Sequence, residues 1–388
     1  MSVNHSLTIA DNPARRFATR AIFFVTGMAM GLWAALVPFA QQRTGAAEGE
    51  LGLLLLCLGA GSLLSMIGSG RIIGRFGCRA VIVSAVVLYC LMLPLMAALN
   101  DIRLLALSLF IFGMGIGLAD VAVNVQGTMV EQAADKPLMS GFHCLWSVGG
   151  MVGAAGGALL LGSGITPELS TVLAVSIIAL VTVFSLSGLL ASGNQQPDGN
   201  SSKAKGRPNF RLVLMAVMAM IAFMAEGAVM DWSGVFMTGQ RGLAVEHAGW
   251  GFALFAFTMS LMRLTGDAMV KKLGRKRVLT WGGLVGLAGY LMVVLLPGWE
   301  LSLVGFALVG VGAANIVPVL ITLAGQETVM PVNMSVALVA TMGYLGVLGG
   351  PALLGWVAHL SSLYVAFTVV AAAFLIITFG AFKLRYKP

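Results

Sequence analysis

Five ionisable side chains sit inside otherwise apolar stretches of this 388-residue chain: Asp120, Glu226, Asp231, Arg263 and Asp267. A charge at the centre of a lipid bilayer costs at least about 2.5 kcal/mol on insertion scales. Each of the five therefore needs a partner, a water-filled cavity or a neutralising proton. At about 1.5 Å of rise per helical residue, Glu226 falls within about 5 Å of the middle of its stretch, and Asp120 roughly 7 Å from the middle of its own. Desolvation disfavours the charged form of a carboxylate, so Glu226 is the leading candidate to load and release a proton. The plain alternative is a protonated Glu hydrogen-bonded in helix packing. Asp120, the second proton candidate, shares a helix face with Asn124 at i, i+4. With Gly117 they form a polar stripe that can bind a proton or solute hydroxyls, or else bond a neighbouring helix. Glu226 and Asp231 are separated by about 140° around a helix and cannot both point at one cavity, which makes Asp231 a gate or helix-end candidate. Arg263 and Asp267, at i, i+4, can neutralise each other and are candidates for a gate near one membrane face.

These residues do not assemble into a known enzyme centre. The chain holds no HExxH, no GxSxG, no Walker loop and no metal-ligand cluster. Its GxG tracts lie in the middle of apolar runs, not after a strand, so they read as packing devices and not as a nucleotide fingerprint. No enzyme activity, cofactor or metal is expected. The four cysteines, Cys57, Cys78, Cys90 and Cys144, form no CxxC pair and read as free thiols. His143, at the start of its apolar run, reads as an interfacial residue, with a coupling role as the alternative.

The elements that must position these groups follow from composition. Hydrophobic residues make up 59% of the chain and charged ones 10%, against roughly 25% charged in a soluble domain. The bilayer is the natural solvent for such a chain. Only helices and closed barrels satisfy their backbones in lipid, and the apolar runs are too long for barrel strands. Twelve spans are expected: 17–40, 51–73, 80–99, 104–127, 139–162 and 168–190, then 211–236, 248–270, 278–297, 301–325, 334–358 and 363–382. The first run is too long for a cleaved leader and lacks a small-residue cleavage site. Residues 191–211, polar and rich in Gly, Pro and Ser, read as a linker, which divides the chain into bundles at 1–190 and 212–388. With the N-terminus in the cytoplasm, only Arg43, Arg103 and Arg241 of the 23 Lys and Arg residues fall on the far side, and Arg263 within a span. That bias sets both termini in the cytoplasm and accounts for the net charge of +8 without nucleic acid.

The two halves repeat. Gly150, Gly153, Gly156 and Gly157 form GxxGxxGG in span 5, and Gly343, Gly346, Gly349 and Gly350 form it again in span 11, 193 positions later. Gly115, Gly117 and Asp120 in span 4 match Gly310, Gly312 and Asn315 in span 10, and Gly77 and Arg79 match Gly274 and Lys276. The spacing of small residues lets helix backbones approach closely. Asn315, as the mate of Asp120, is a candidate solute ligand together with Asn124. Trp33 and Trp232, also near-equivalent positions, are candidates to stack on solute or to sit in an interfacial belt.

The loop after span 2, Gly70-Arg-Ile-Ile-Gly74-Arg75-Phe-Gly77-Cys78-Arg79, resembles the G-x-x-x-D-R-x-G-R-R signature of the major facilitator superfamily. It departs from the signature at Gly74, where the family has Asp, and at Cys78, where it has Arg. The resemblance implies an all-α membrane fold of two pseudo-symmetric six-helix bundles, with Arg75 and Arg79 at a cytoplasmic gate and Asp267 standing in for the missing Asp. A narrower stretch, Glu226 to Ser233 with Asp120 to Asn124, resembles sugar-permease-like and rhizopine-transporter-like members. Duplicated halves around a central site are the architecture of secondary transporters. The expectation is a monomeric bacterial inner-membrane carrier of a small, polar solute by alternating access, coupled to protons. A proton-antiport exporter of drugs or metabolites and a non-transporting solute sensor are the alternatives.

Overall fold

The computed structural model describes residues 10–46, 48–193, 207–244, 247 and 249–386. The helices in the first half of the chain are α1 (Pro13–Thr44), α2 (Glu48–Ala98), α3 (Ile102–Ala134), α4 (Met139–Gly162) and α5 (Pro167–Ser185). Those in the second half are α6 (Phe210–Arg241), α7 (Trp250–Leu273), α8 (Arg275–Leu295), α9 (Trp299–Ala313), α10 (Ile316–Gln326), α11 (Val332–Leu360) and α12 (Leu363–Gly380). Eleven helical stretches among the described residues are long and apolar enough to cross a membrane. The linker expected at 191–211 falls largely outside the described residues.

The expected spans map unevenly onto these helices. Spans 2 and 3 run together as α2, whose apolar part of 46 residues would extend about 69 Å, more than twice the ~30 Å hydrocarbon core. Gly77 breaks it, with φ 81° and ψ 162°, a conformation closed to residues with a Cβ. Gly274 adopts φ 81° and ψ 151° between α7 and α8, so the sequence repeat is also a backbone repeat. Span 10 departs the other way and is split into α9 and α10 around Ala314 and Asn315. Pro318 is the cause. In a continuous helix its nitrogen would face the Ala314 carbonyl, and proline has no N–H to give. As the third residue of a new helix it gives up only a donor that would be orphaned anyway.

Two compact units result. One contains residues 1–136, 142–207 and 328–338, the other residues 137–141, 208–327 and 339–388. The first turn of α4 thus belongs with the second unit and the first turn of α11 with the first.

Within the first unit α4 lies on α1 with backbones in contact: a Cβ on Gly153 would stand 2.1 Å from the Met28 carbonyl oxygen. Gly150 approaches Gly27, and Gly157 faces Leu32 and Ala35. The second unit repeats this between α11 and α6. A Cβ on Gly346 would stand 2.1 Å from the Met220 oxygen, Gly343 faces Phe223 and Gly350 faces Met224. The remaining mates, Gly156 and Gly349, both face open space.

Two of the three arginines on the minority side of the charge bias have structural work. Arg43 donates to the oxygens of Leu99 and Met96, each at 2.7 Å. Arg241 donates to Val293 O at 2.6 Å and to Ser302 Oγ at 3.1 Å, and stacks on Phe236 and Tyr364. Both satisfy carbonyls left open at a helix C-terminus, where a cation is also favoured by the helix dipole. Cys57, Cys78, Cys90 and Cys144 are all free thiols.

Candidate functional site

The second unit gathers four of the predicted polar residues. Glu226 on α6 and Arg263 on α7 form an ion pair at 3.8 Å. Only 6% of the Arg263 side chain is exposed, against 27% of Glu226. The carboxylate is thus the accessible end of the pair and the guanidinium its buried support. Arg263 Nε also donates to Ala314 O at 3.3 Å, the carbonyl that Pro318 leaves without a helical partner. One residue along α7, Met262 O accepts from Asn315 Nδ2 at 3.1 Å. The break in span 10 is therefore held from α7 through two adjacent residues. Asn315 is 4% exposed and its Oδ1 has no hydrogen-bond donor. The buried guanidinium lowers the cost of a partly exposed carboxylate charge within the membrane, and unwound carbonyls at mid-span are where carriers bind polar groups or ions.

One turn further on, Asp267 accepts from the backbone N–H groups of Ser140 and Gly141, both at 3.0 Å. These are the second and third residues of α4, whose N–H groups have no partner within their own helix. Asp267 therefore caps α4 from another helix, with its charge at the positive end of the dipole. Arg263 and Asp267, expected to neutralise each other, each reach a partner elsewhere. Gly266 makes this possible, since a Cβ there would fall 2.0 Å from Asn315 Oδ1 and 2.6 Å from Ser140 Cβ. Asp267→Asn keeps an acceptor for one N–H but removes the charge, and is expected to destabilise the protein by about 1 kcal/mol. Thermal unfolding in detergent measures this.

The repeat-mate of this cap lies in the first unit and is neutral. Asn333, in the first turn of α11, donates through Nδ2 to the carbonyl of Gly70 near the end of the first arm of α2. Gly70 packs on Met334 and Ala337 of the same turn. The first glycine of the signature-like loop thus makes room for α11.

The first unit holds the stripe of Asp120 and Asn124 on α3. Asn124 Nδ2 donates to the Asp120 carbonyl at 2.9 Å, which turns its Oδ1 toward His143 Nε2 at 3.1 Å. The imidazole must then donate from Nε2. His143 stacks near Phe23, with centroids 5.2 Å apart, and so joins the stripe. Trp33 is 3% exposed and its indole N–H has no acceptor. Trp232, in the second unit, is half-buried with its ring against Gly355 of α11. Asp231 is exposed and bonds to no described residue. Arg75 is exposed, its guanidinium 5.4 Å over Phe76. Arg79 grips the Leu189 oxygen at 2.8 and 3.0 Å, and its mate Lys276 sits 4.4 Å over the Phe382 ring. Both basic residues thus anchor the short helical turn that ends the last span of a repeat.

The sequence reading missed Ala314, Pro318, Gly266, Ser140 and Asn333. A proline within span 10 was the available signal for the first two. Ser140 and Asn333 stand 193 positions apart, in step with the glycine repeat.

A model of the Major Facilitator Superfamily matches residues 21–245 and 214–388 of the chain. An uncharacterized MFS-type transporter of Yersinia pestis is 41% identical over 377 residues, 97% of each chain. An uncharacterized transporter of Sinorhizobium fredii is 32% identical over 352 residues, 90% of this chain and 92% of that one. The crystal structure of the transporter FucP in its outward conformation superposes with a TM-score of 0.83 at 17% identity, over 95% of this chain and 98% of that chain.

Proposed function

This chain belongs to the major facilitator superfamily, and on that premise we propose that it carries a small polar solute across the bacterial inner membrane in exchange for, or together with, protons. The observation that carries the reading is the Glu226–Arg263 pair beside the broken tenth span. Glu226 is the coupling carboxylate. Its exposed oxygens accept a proton or a solute hydroxyl, and Arg263 limits the cost of holding it as an anion within the membrane. The accessible group of this cluster, the Glu226 carboxylate, is an acceptor, and so is the buried, unpartnered Asn315 Oδ1 behind it, which suits a solute rich in hydrogen-bond donors. FucP, similar in fold, is described as a fucose:proton symporter, which supports the same class of cargo. Asp120, Asn124 and His143 form a second polar site in the first repeat.

Asp267 is the gate residue. Both termini face the cytoplasm, so its bond to the first turn of α4 closes the cytoplasmic side, and the turn is released when that side opens. Arg75, Asp231 and Arg79 have weaker claims to gating, and Arg79 acts as an anchor for the end of α5.

Proton flux tests the proposal. Purified protein in liposomes with an internal pH dye is challenged with sugars, polyols and amphiphilic drugs. The expected result is a solute-dependent pH change that is abolished in Glu226→Gln. An inward proton movement with inward solute marks symport, and the opposite sign marks the antiport exporter. A pH change that survives Glu226→Gln rules out this carboxylate as the coupling group.

A further inference from the structure

We propose that the basic end of α7, α8 and α12 is a binding surface for the headgroup of an anionic phospholipid, with Lys272, Arg277 and Lys383 as its cations and Trp281 as the ring that seats the lipid below them. The sequence supplies the charge. Residues 271–277, KKLGRKR, hold five Lys and Arg, and Lys383 and Arg385 follow α12. No Asp or Glu occurs in residues 268–299 or 328–388. The carboxylates nearest this end in sequence are engaged: Asp267 accepts from Ser140 and Gly141, and Glu327 accepts from Asn209 Nδ2 at 3.2 Å. Lys272, Arg277 and Lys383 are exposed and have no hydrogen-bond or ion-pair partner among the described residues.

The structure adds the hydrocarbon side. α8 packs against both α7 and α12, and on each of the three an exposed apolar stripe leads to a cation. On α7 the stripe is Leu264 and Ala268, ending at Lys272. On α12 it is Ile376 and Phe379, continued by Lys383 in the turn that follows. On α8 Arg277 stands above Trp281, whose side chain is 61% exposed. These two share a face at i, i+4, about 6 Å apart along the axis. That offset suits a phosphate at the guanidinium and the indole at the headgroup level, where tryptophans concentrate. Lys276 Nζ lies 4.4 Å over the Phe382 ring, which ties the start of α8 to the turn carrying Lys383. A soluble anion would meet the cations and leave the stripes unused. A phospholipid uses both, and basic pockets between spans are recognised headgroup sites. The matching place in the first repeat is poorer. Arg71, Arg75 and Arg79 are the only basic residues in 44–102, and residues 186–193 after α5 have none. Arg79 is engaged with the Leu189 oxygen.

The test uses the full-length protein in phosphatidylcholine bilayers and needs no solute. Dibrominated phosphatidylglycerol, or dibrominated phosphatidylcholine for reference, is added in rising fractions, and its bromines quench any tryptophan they touch. In each chain, subtracting the same chain with Trp281→Phe isolates Trp281 from the other six tryptophans. The expected result is a several-fold preference for phosphatidylglycerol at Trp281, because basic residues at a membrane surface attract anionic lipid, and a weaker one as salt rises. The preference falls to near unity when Lys272→Gln, Arg277→Gln and Lys383→Gln are combined. It is retained in Lys272→Arg with Lys383→Arg, which keeps the charge, and in the first-repeat control, Arg71→Gln with Arg75→Gln. Equal quenching by the two lipids, or a preference that survives the triple glutamine variant, overturns the proposal. A loss just as large in the first-repeat control also overturns it, since that marks the general potential of the face and not a site. Loss of the preference with millimolar inorganic phosphate, but not with chloride at equal ionic strength, assigns the cations to a soluble anion and overturns the lipid.

Discussion

Arg263→Gln is expected to destabilise the folded protein by about 3 kcal/mol, and adding Glu226→Gln to the same chain to recover most of that loss. Removing one partner of a buried ion pair costs about 3–5 kcal/mol, because the other charge is left uncompensated, whereas neutralising both is often tolerated. The low end applies because 27% of the Glu226 side chain stays exposed. The recovery is incomplete. Arg263 also donates to Ala314 O, and a bond from a charged group to a carbonyl contributes about 1.5–3 kcal/mol. A glutamine amide replaces only part of that. Denaturant or thermal unfolding of the two single variants and the double variant in one detergent gives the cycle. Costs that simply add would mean that Glu226 and Arg263 do not act as a unit.

Gly266→Ala is expected to destabilise by about 2 kcal/mol, within the range for inserting a methyl group into packed structure, although alanine is the better helix former by up to about 1 kcal/mol. Sterics win because of what surrounds the position. The new Cβ would lie 2.0 Å from Asn315 Oδ1 and 2.6 Å from Ser140 Cβ. Asn315 can rotate away only by giving up its bond to Met262 O. Ser140 can retreat only with the first turn of α4, whose N–H groups Asp267 holds. Gly156→Ala and Gly349→Ala are the controls: both glycines face open space, so helix propensity alone decides, and both are expected to be neutral or stabilising. Asn315→Ala together with Ser140→Gly removes both obstacles and is expected to restore the Gly266→Ala variant. Destabilisation that persists in the triple variant would place the cause elsewhere.

The membrane architecture was legible in the sequence because the bilayer makes a demand that composition alone answers: long apolar runs, with basic residues biased to one side. Duplication was legible too, since the paired glycines of spans 5 and 11 stand at one offset. The contacts of Gly153 and Gly346, and the open faces of Gly156 and Gly349, repeat in the same order. That Asp120, Glu226, Arg263 and Asp267 need partners also followed from the cost of charge in lipid. Which partner each finds did not follow. Sequence spacing brings Arg263 and Asp267 together on one helix face. The tertiary fold instead gives Arg263 a carboxylate 37 positions upstream on α6 and a carbonyl 51 positions downstream, and it gives Asp267 the N–H groups of a helix that starts 128 positions before it. Helix ends and broken backbones create unsatisfied donors and acceptors at places fixed by local chemistry, such as Pro318. The side chain that satisfies each is chosen by the packing of whole helices, which no window of neighbouring residues contains.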